Sequence, residues 1–146
     1  MKLNSILCAG ILLLAVLICG CTTTPQESSA AVENPDLIGN WTGTMTGYEY
    51  GEGYTNYAGA LMTLSITEQQ DRIFSGEISF TNQSGYPIWE PLTCAGVLGP
   101  DSRTLTLVEE GGGHSSGSLI APDEIEVVYL DAGEPFSIAI NSLKRS

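Results

Sequence analysis

From Leu37 onward the chain alternates apolar and polar residues with a period of two, and no later stretch keeps a helical period. In "GNWTGTMTGY" Trp41, Gly43, Met45 and Gly47 alternate with Thr42, Thr44 and Thr46. In "YAGALMTLSIT" Ala58, Ala60, Met62, Leu64 and Ile66 share a face, as do Phe74, Gly76, Ile78 and Phe80 in "IFSGEISF". Further strands are predicted at about 89–98, 103–109, 114–120, 124–131 and 135–143. The last two carry Ile125, Val127 and Tyr129, then Phe136, Ile138 and Ile140, as their apolar faces. The breaks hold turn residues: "EQQDR", "TNQSGYP", "GPDS", "EEGGG", "APDE" and "DAGEP". Pro91 falls inside a predicted strand, which implies an edge, a bulge or a late start there.

Eight short strands joined mostly by tight turns leave few architectures. An open meander exposes two edges. Closure removes them, and eight strands enclose an interior just wide enough for side chains or one small ligand. The predicted fold class is therefore all-β, an eight-stranded antiparallel up-and-down barrel over residues 36–146, with a two-sheet sandwich as the runner-up. Glycines at 43, 47, 59, 76, 96 and 117 suit strongly coiled strands. "GVLGPDSRTLTLV" from Gly96 is echoed by "GSLIAPDEIEVVY" from Gly117. Each is a strand, a Pro-Asp turn and a second strand, as consecutive hairpins of a meander would be.

The first 21 residues differ in kind. Lys2 gives a positive start, an apolar run extends from Ile6 to Ile18, and Gly20 and Cys21 close it before a polar "TTTP". That is the pattern of a secretory signal over 1–20, with an uncleaved anchor helix as the alternative. Residues 22–35 are almost devoid of apolar side chains, so 21–35 is read as a disordered tether. With Cys8 and Cys19 in the signal and Cys21 at its end, Cys94 is the one cysteine of the body. It is expected to act as a small buried hydrophobe, and the domain must depend on its apolar core. All 17 acidic residues follow Cys21, opposed there by Arg72, Arg103, Lys144 and Arg145. Such a body repels nucleic acid and anionic surfaces.

Ile18-Cys19-Gly20-Cys21 resembles the lipobox of prokaryotic lipoproteins. The resemblance implies lipidation at Cys21 and a membrane-anchored domain facing the extracytoplasmic side. "LIGNWTG", with Gly39, Asn40 and Trp41, resembles the Gly-x-Trp opening of the lipocalin and avidin superfamily of barrels. In that superfamily the tryptophan plugs one end of the barrel. In lipocalins an arginine from the last strands packs on it, a part that Arg145, or Lys144, would take here. The chain lacks a clear second lipocalin motif, a C-terminal helix and any recognisable biotin contacts, so the resemblance carries a fold and no ligand. The whole chain is similar to small lipoproteins of methanogenic archaea, with a Thr-rich segment after the cysteine.

Little in the body points to catalysis. His114, the only histidine, lies in a Gly-rich turn, and a catalytic triad gathers its members from separate elements. Glu109 and Glu110 could join it only in a poor, open cation site, so neither a metal nor another cofactor is expected. "GYEYGEGYTNY", residues 47–57, is the longest loop-like stretch, and its tyrosines offer flat faces with hydroxyls. Tyr50, Tyr54 and Tyr57, with Trp89 from the far side, are the candidate ligand contacts at a shared barrel mouth. Asn40 and Asn82 head glycosylation sequons. The reading is a lipid-anchored binding module for a small apolar or aromatic ligand or a surface partner, with no enzymatic activity expected. The alternative is a structural or interaction lipoprotein whose barrel is filled. Met45, Met62, Phe74 and Phe80 favour filling, while the glycines, Ala58 and Ala60 favour space.

Overall fold

A computed structural model describes residues 33–146; the signal, Cys21 and the tether up to residue 32 lie outside the described residues. The described chain is all-β. Its strands are β1 (Gly39–Glu49), β2 (Gly53–Thr55), β3 (Ala60–Gln70), β4 (Ile73–Asn82), β5 (Pro87–Leu98), β6 (Thr104–Glu109), β7 (His114–Ala121), β8 (Glu124–Asp131) and β9 (Ser137–Arg145). Eight of them, β1 and β3 to β9, pair antiparallel in chain order, and β9 returns to β1. The seam runs from Trp41 opposite Arg145 to Glu49 opposite Ser137, so the sheet closes into a barrel and the sandwich is excluded. The ninth, β2, is a short strand inside the predicted 47–57 loop that pairs with the far end of β1.

Inward positions are filled in the order the alternation dictates. Trp41 and Met45, then Met62, Leu64 and Ile66, then Phe74 and Ile78 are buried, followed by Cys94, Leu98, Leu105, Leu107, Ile125, Val127 and Leu143. Each large side chain so buried stabilises the fold by about 1.5–3 kcal/mol. Close approach of neighbouring strands requires glycine at two places. A Cβ at Gly43 would run into the Ser142 carbonyl oxygen, and one at Gly76 into that of Ser65. At Pro91 the bulge alternative is the one realised. Phe80 faces Trp89 and Ile78 faces Leu92, so β5 takes three steps where β4 takes two.

One end of the barrel is plugged. Leu37 and Trp41 are fully buried, and the indole Nε1 donates to the Leu37 carbonyl at 2.9 Å. The Arg145 guanidinium lies 4.3 Å from the Trp41 ring centroid and donates to the carbonyls of Ile38, at 3.0 Å, and Asp36. Asn34 and Pro35, assigned to the tether by composition, are bound to this end. Asn34 Nδ2 donates to Asp71 at 2.6 Å, and Gln69 Nε2 donates to the Pro35 carbonyl at 2.9 Å. These are polar side-chain bonds, to which a hydrophobic pattern is blind.

Two strand expectations need correction. Ala58 precedes β3 and is exposed. More consequentially, Phe136, Ile138 and Ile140 do not face the core. Ile138 and Ile140 are 41% and 45% exposed, Phe136 lies in the turn before β9, and Ala139, Asn141 and Leu143 point inward instead. Register decides this. Leu143 lies opposite Gly43 and Ile125, and Asn141 opposite Met45 and Val127, all on the inner face. A strand paired on both sides takes the parity of its partners, whatever its own hydrophobic residues favour.

Candidate functional site

The interior is packed towards the Trp41 end and open towards the other. There a cavity of about 270 Å³ is lined by residues from all eight barrel strands and from the loop before β3. Met45, Met62, Phe80, Leu92 and Ala139 give apolar walls; Tyr57, Trp89 and Tyr129 add aromatic faces; Glu49, Glu90, Glu109, Ser115 and Asn141 add polar groups.

Local structure positions these groups. Tyr57 sits just ahead of β3 with φ of 42°, a left-handed conformation that costs an aromatic residue roughly 1–2 kcal/mol. It is held by a bond from its N–H to Thr55 Oγ1 at 3.1 Å and by its carbonyl accepting from Ala60 at 2.9 Å. Trp89 is set edge-on to Phe80, ring centroids 5.0 Å apart, by the bulge that carries Pro91. Glu109 ends the inward series Leu105, Leu107, Glu109 on β6 and is only 9% exposed. Ser115 Oγ donates to its Oε1 at 2.6 Å. Burial pushes the Glu109 carboxyl above its ordinary 4.5, against the opposing pull of Ser115 and His114. Burial likewise raises the Tyr57 and Tyr129 hydroxyls, helped by Glu49 and Asp131 respectively.

Asn141 forms part of the cavity wall one inward position below Ala139 on β9. It is 2% exposed, and its Nδ2 donates to the Val127 carbonyl at 3.2 Å. Its Oδ1 is buried without a hydrogen-bond partner among the described residues.

The four residues predicted to share the mouth are divided. Tyr57 and Trp89 line the cavity; Tyr50 and Tyr54 do not. Tyr54 is 93% exposed on the outer wall, its ring 5.3 Å from that of Tyr48, while Tyr50 packs 5.2 Å from Phe136. The reason is that alternation continues through the supposed loop. Glu49 points inward, so Tyr48 and Tyr50 point outward, and β2 sets Tyr54 opposite Tyr48 on the same face. With Ile138 and Ile140, Tyr48 and Tyr54 form a shallow aromatic and aliphatic groove outside the barrel.

The remaining candidates are placed as follows. Glu109 turns inward, whereas Glu110 is exposed beside Thr93 and His114 is exposed at the start of β7. No group of three or more His, Cys, Asp or Glu among the described residues is arranged to hold a metal ion. Cys94 is buried; burial first, then Glu109 and Glu77, push its thiol up to about 11. Asn40 is exposed on β1 opposite Ser65. Asn82 is exposed at a turn where its Oδ1 accepts from the N–H groups of Ser84, at 2.9 Å, and Tyr86, at 3.1 Å. Of the other cavity residues, Glu109 enters the sequence reading only beside His114 in an open cation site and Tyr129 only on a strand's apolar face, while Glu49 and Asn141 are not singled out there. Parity along β6 and β8 exposes Glu109 and Tyr129 to inspection, but Asn141 emerges only with the β9 register.

No known protein family and no curated protein matches the sequence. Among solved structures the chain is similar to isotype 1 transferrin binding protein B from serogroup B Neisseria meningitidis, with a TM-score of 0.53 and 14% identity. That likeness covers 81% of this chain and 27% of the other, so this chain spans about a quarter of that protein. It is also similar to a redesigned β barrel, b11L5F_LGL, with TM-score 0.48, 14% identity and coverage of 75% and 91%. A second redesigned barrel, mFAP0 bound to DFHBI, gives 0.47, 15%, 75% and 98%. At these identities the likeness is one of fold.

Proposed function

We propose that this protein is a binding module, tethered by lipid at Cys21 outside the cytoplasm, that holds a small, largely apolar or aromatic ligand in the barrel mouth against Tyr57 and Trp89. The cavity carries the reading. A barrel built only as a scaffold would pack both halves as this one packs its Trp41 end. Instead the open half leaves about 270 Å³, just under the roughly 300–1,000 Å³ of drug-sized ligand sites and so suited to a smaller molecule. The lipobox-like "ICGC" and the polar stretch after it support the tethering. Native mass spectrometry of the full-length protein, purified in mild detergent from a prokaryotic host, tests both parts. The expected spectrum shows a mature chain beginning at lipidated Cys21 and a co-purifying small molecule lost in Trp89→Ala. A chain retaining residues 1–20 rules out the lipid tether. A ligand still bound in both Trp89→Ala and Tyr57→Ala rules out the mouth.

A second reading has its own observation. Tyr48, Tyr54, Ile138 and Ile140 line an outer groove, an arrangement suited to a protein partner rather than a small ligand. Tyr54→Glu would abolish such an interaction and leave ligand binding in the mouth intact.

A further inference from the structure

Resting on the reading of the mouth as a ligand site, we infer that its ligand is a protonated amine on a small apolar or aromatic body, with the ammonium held between Asn141 Oδ1 and the Glu109 carboxylate. Asn141 supplies the first observation. The amide is almost wholly buried, its orientation is fixed by the Nδ2 bond to Val127, and rotating it would set oxygen against that carbonyl oxygen. The atom left without a partner in this residue of the cavity wall is therefore an acceptor. An orphaned buried acceptor is costly, so the site is complete only when something donates to it.

The charge of the wall is the second observation. Glu109 spends Oε1 on Ser115 and leaves Oε2 without a hydrogen-bond partner among the described residues, while Glu49 and Glu90 add two further carboxylates. No lysine, arginine or histidine lines the cavity. The wall therefore opposes anions and leaves neutral ligands without a partner for the charge. A group that both donates N–H and carries positive charge meets both demands. The aromatic faces of Tyr57, Trp89 and Tyr129 suit the flanks of such a cation and the apolar body behind it. Burial raises the pKa of the Glu109 carboxyl, and a bound ammonium would lower it again.

Benzylammonium, benzyl alcohol and benzoate share a body and differ in head group, so they separate the cases. Each is titrated into the full-length protein in detergent, and the fluorescence of Trp89 is followed. Trp89→Phe serves as the blank, since Trp41 is sealed at the far end. Benzylammonium is expected to bind at least tenfold more tightly than benzyl alcohol, and benzoate not at all. Asn141→Leu and Glu109→Gln should each remove most of that preference. Glu109→Gln keeps an acceptor for Ser115, so the test survives a folding failure of the Leu variant. Equal binding of benzyl alcohol, any binding of benzoate, or unchanged preference in Glu109→Gln overturns the amine assignment and leaves the mouth as a site. Silence of Trp89 towards all three probes overturns the amine assignment. Combined with no co-purifying molecule, it removes the reading of the mouth as well.

Discussion

Replacing Asn141 by leucine should make the ligand-free barrel more stable. Most inward substitutions on a barrel strand do the reverse, and the expectation comes from one atom. Oδ1 of Asn141 is buried and unpartnered, and such an atom costs about 1–3 kcal/mol. Leucine has the same branching and removes it, and its larger volume has the neighbouring cavity to expand into. The loss is the bond from Nδ2 to the Val127 carbonyl, at 3.2 Å a long one, worth about 0.5–1.5 kcal/mol net. Val127 and Met45 lie opposite on the two neighbouring strands, so the new methyl groups meet apolar neighbours. The balance is a gain of about 1 kcal/mol, or about 4–8 °C in Tm for a domain near this size. Thermal unfolding followed by near-ultraviolet circular dichroism, after exhaustive dialysis, measures it. Asn141→Asp is the paired control: it brings a fourth carboxylate into the wall that already holds Glu49, Glu90 and Glu109, and its Tm should fall by several degrees at neutral pH. A Tm for the leucine variant several degrees below that of the parent would refute the argument, because it would mean that Oδ1 is satisfied in the free protein. The stabilised variant is also the one expected to lose the amine preference, the usual exchange between stability and function at a binding site.

Glu109→Gln should stabilise the barrel at neutral pH, with the advantage shrinking to nothing near pH 4. The folded carboxyl titrates above its ordinary 4.5, so its share of stability is fully present below that value and is lost as pH rises through the folded pKa; denaturant midpoints across pH 4–8 read this. Arg145→Ala should lose about 2–3 kcal/mol, from a cation–π contact of about 0.5–2 and two carbonyl bonds of about 0.5–1.5 each. Arg145→Lys should recover only part of it in the same urea titration. Cys94, with its thiol pushed up to about 11, should alkylate about a hundredfold more slowly at pH 8 in the folded protein than in urea, measured at the Cys94 peptide by mass spectrometry.

The sequence by itself determined the eight barrel strands and favoured their closure over a sandwich, which the β1–β9 seam then excluded. Period-two order in "ALMTLSI", "IFSGEISF" and "TLTLVE", cut by turn residues, set the burial of Met62, Leu64, Ile66, Phe74, Ile78, Leu105 and Leu107 without reference to distant residues. Glycines at 43 and 76 were legible as bends because nothing larger fits beside a neighbouring backbone. Tertiary structure alone decided which wall each aromatic residue would join. Tyr50 and Tyr54 went outside, Tyr57 and Trp89 inside, and β9 turned its isoleucines to solvent and its asparagine to the cavity. The physical reason is that a strand's own residues fix its alternation but not its phase. Phase is fixed by hydrogen bonding to two neighbours at once, and for β9 one of those neighbours lies at the other end of the barrel domain.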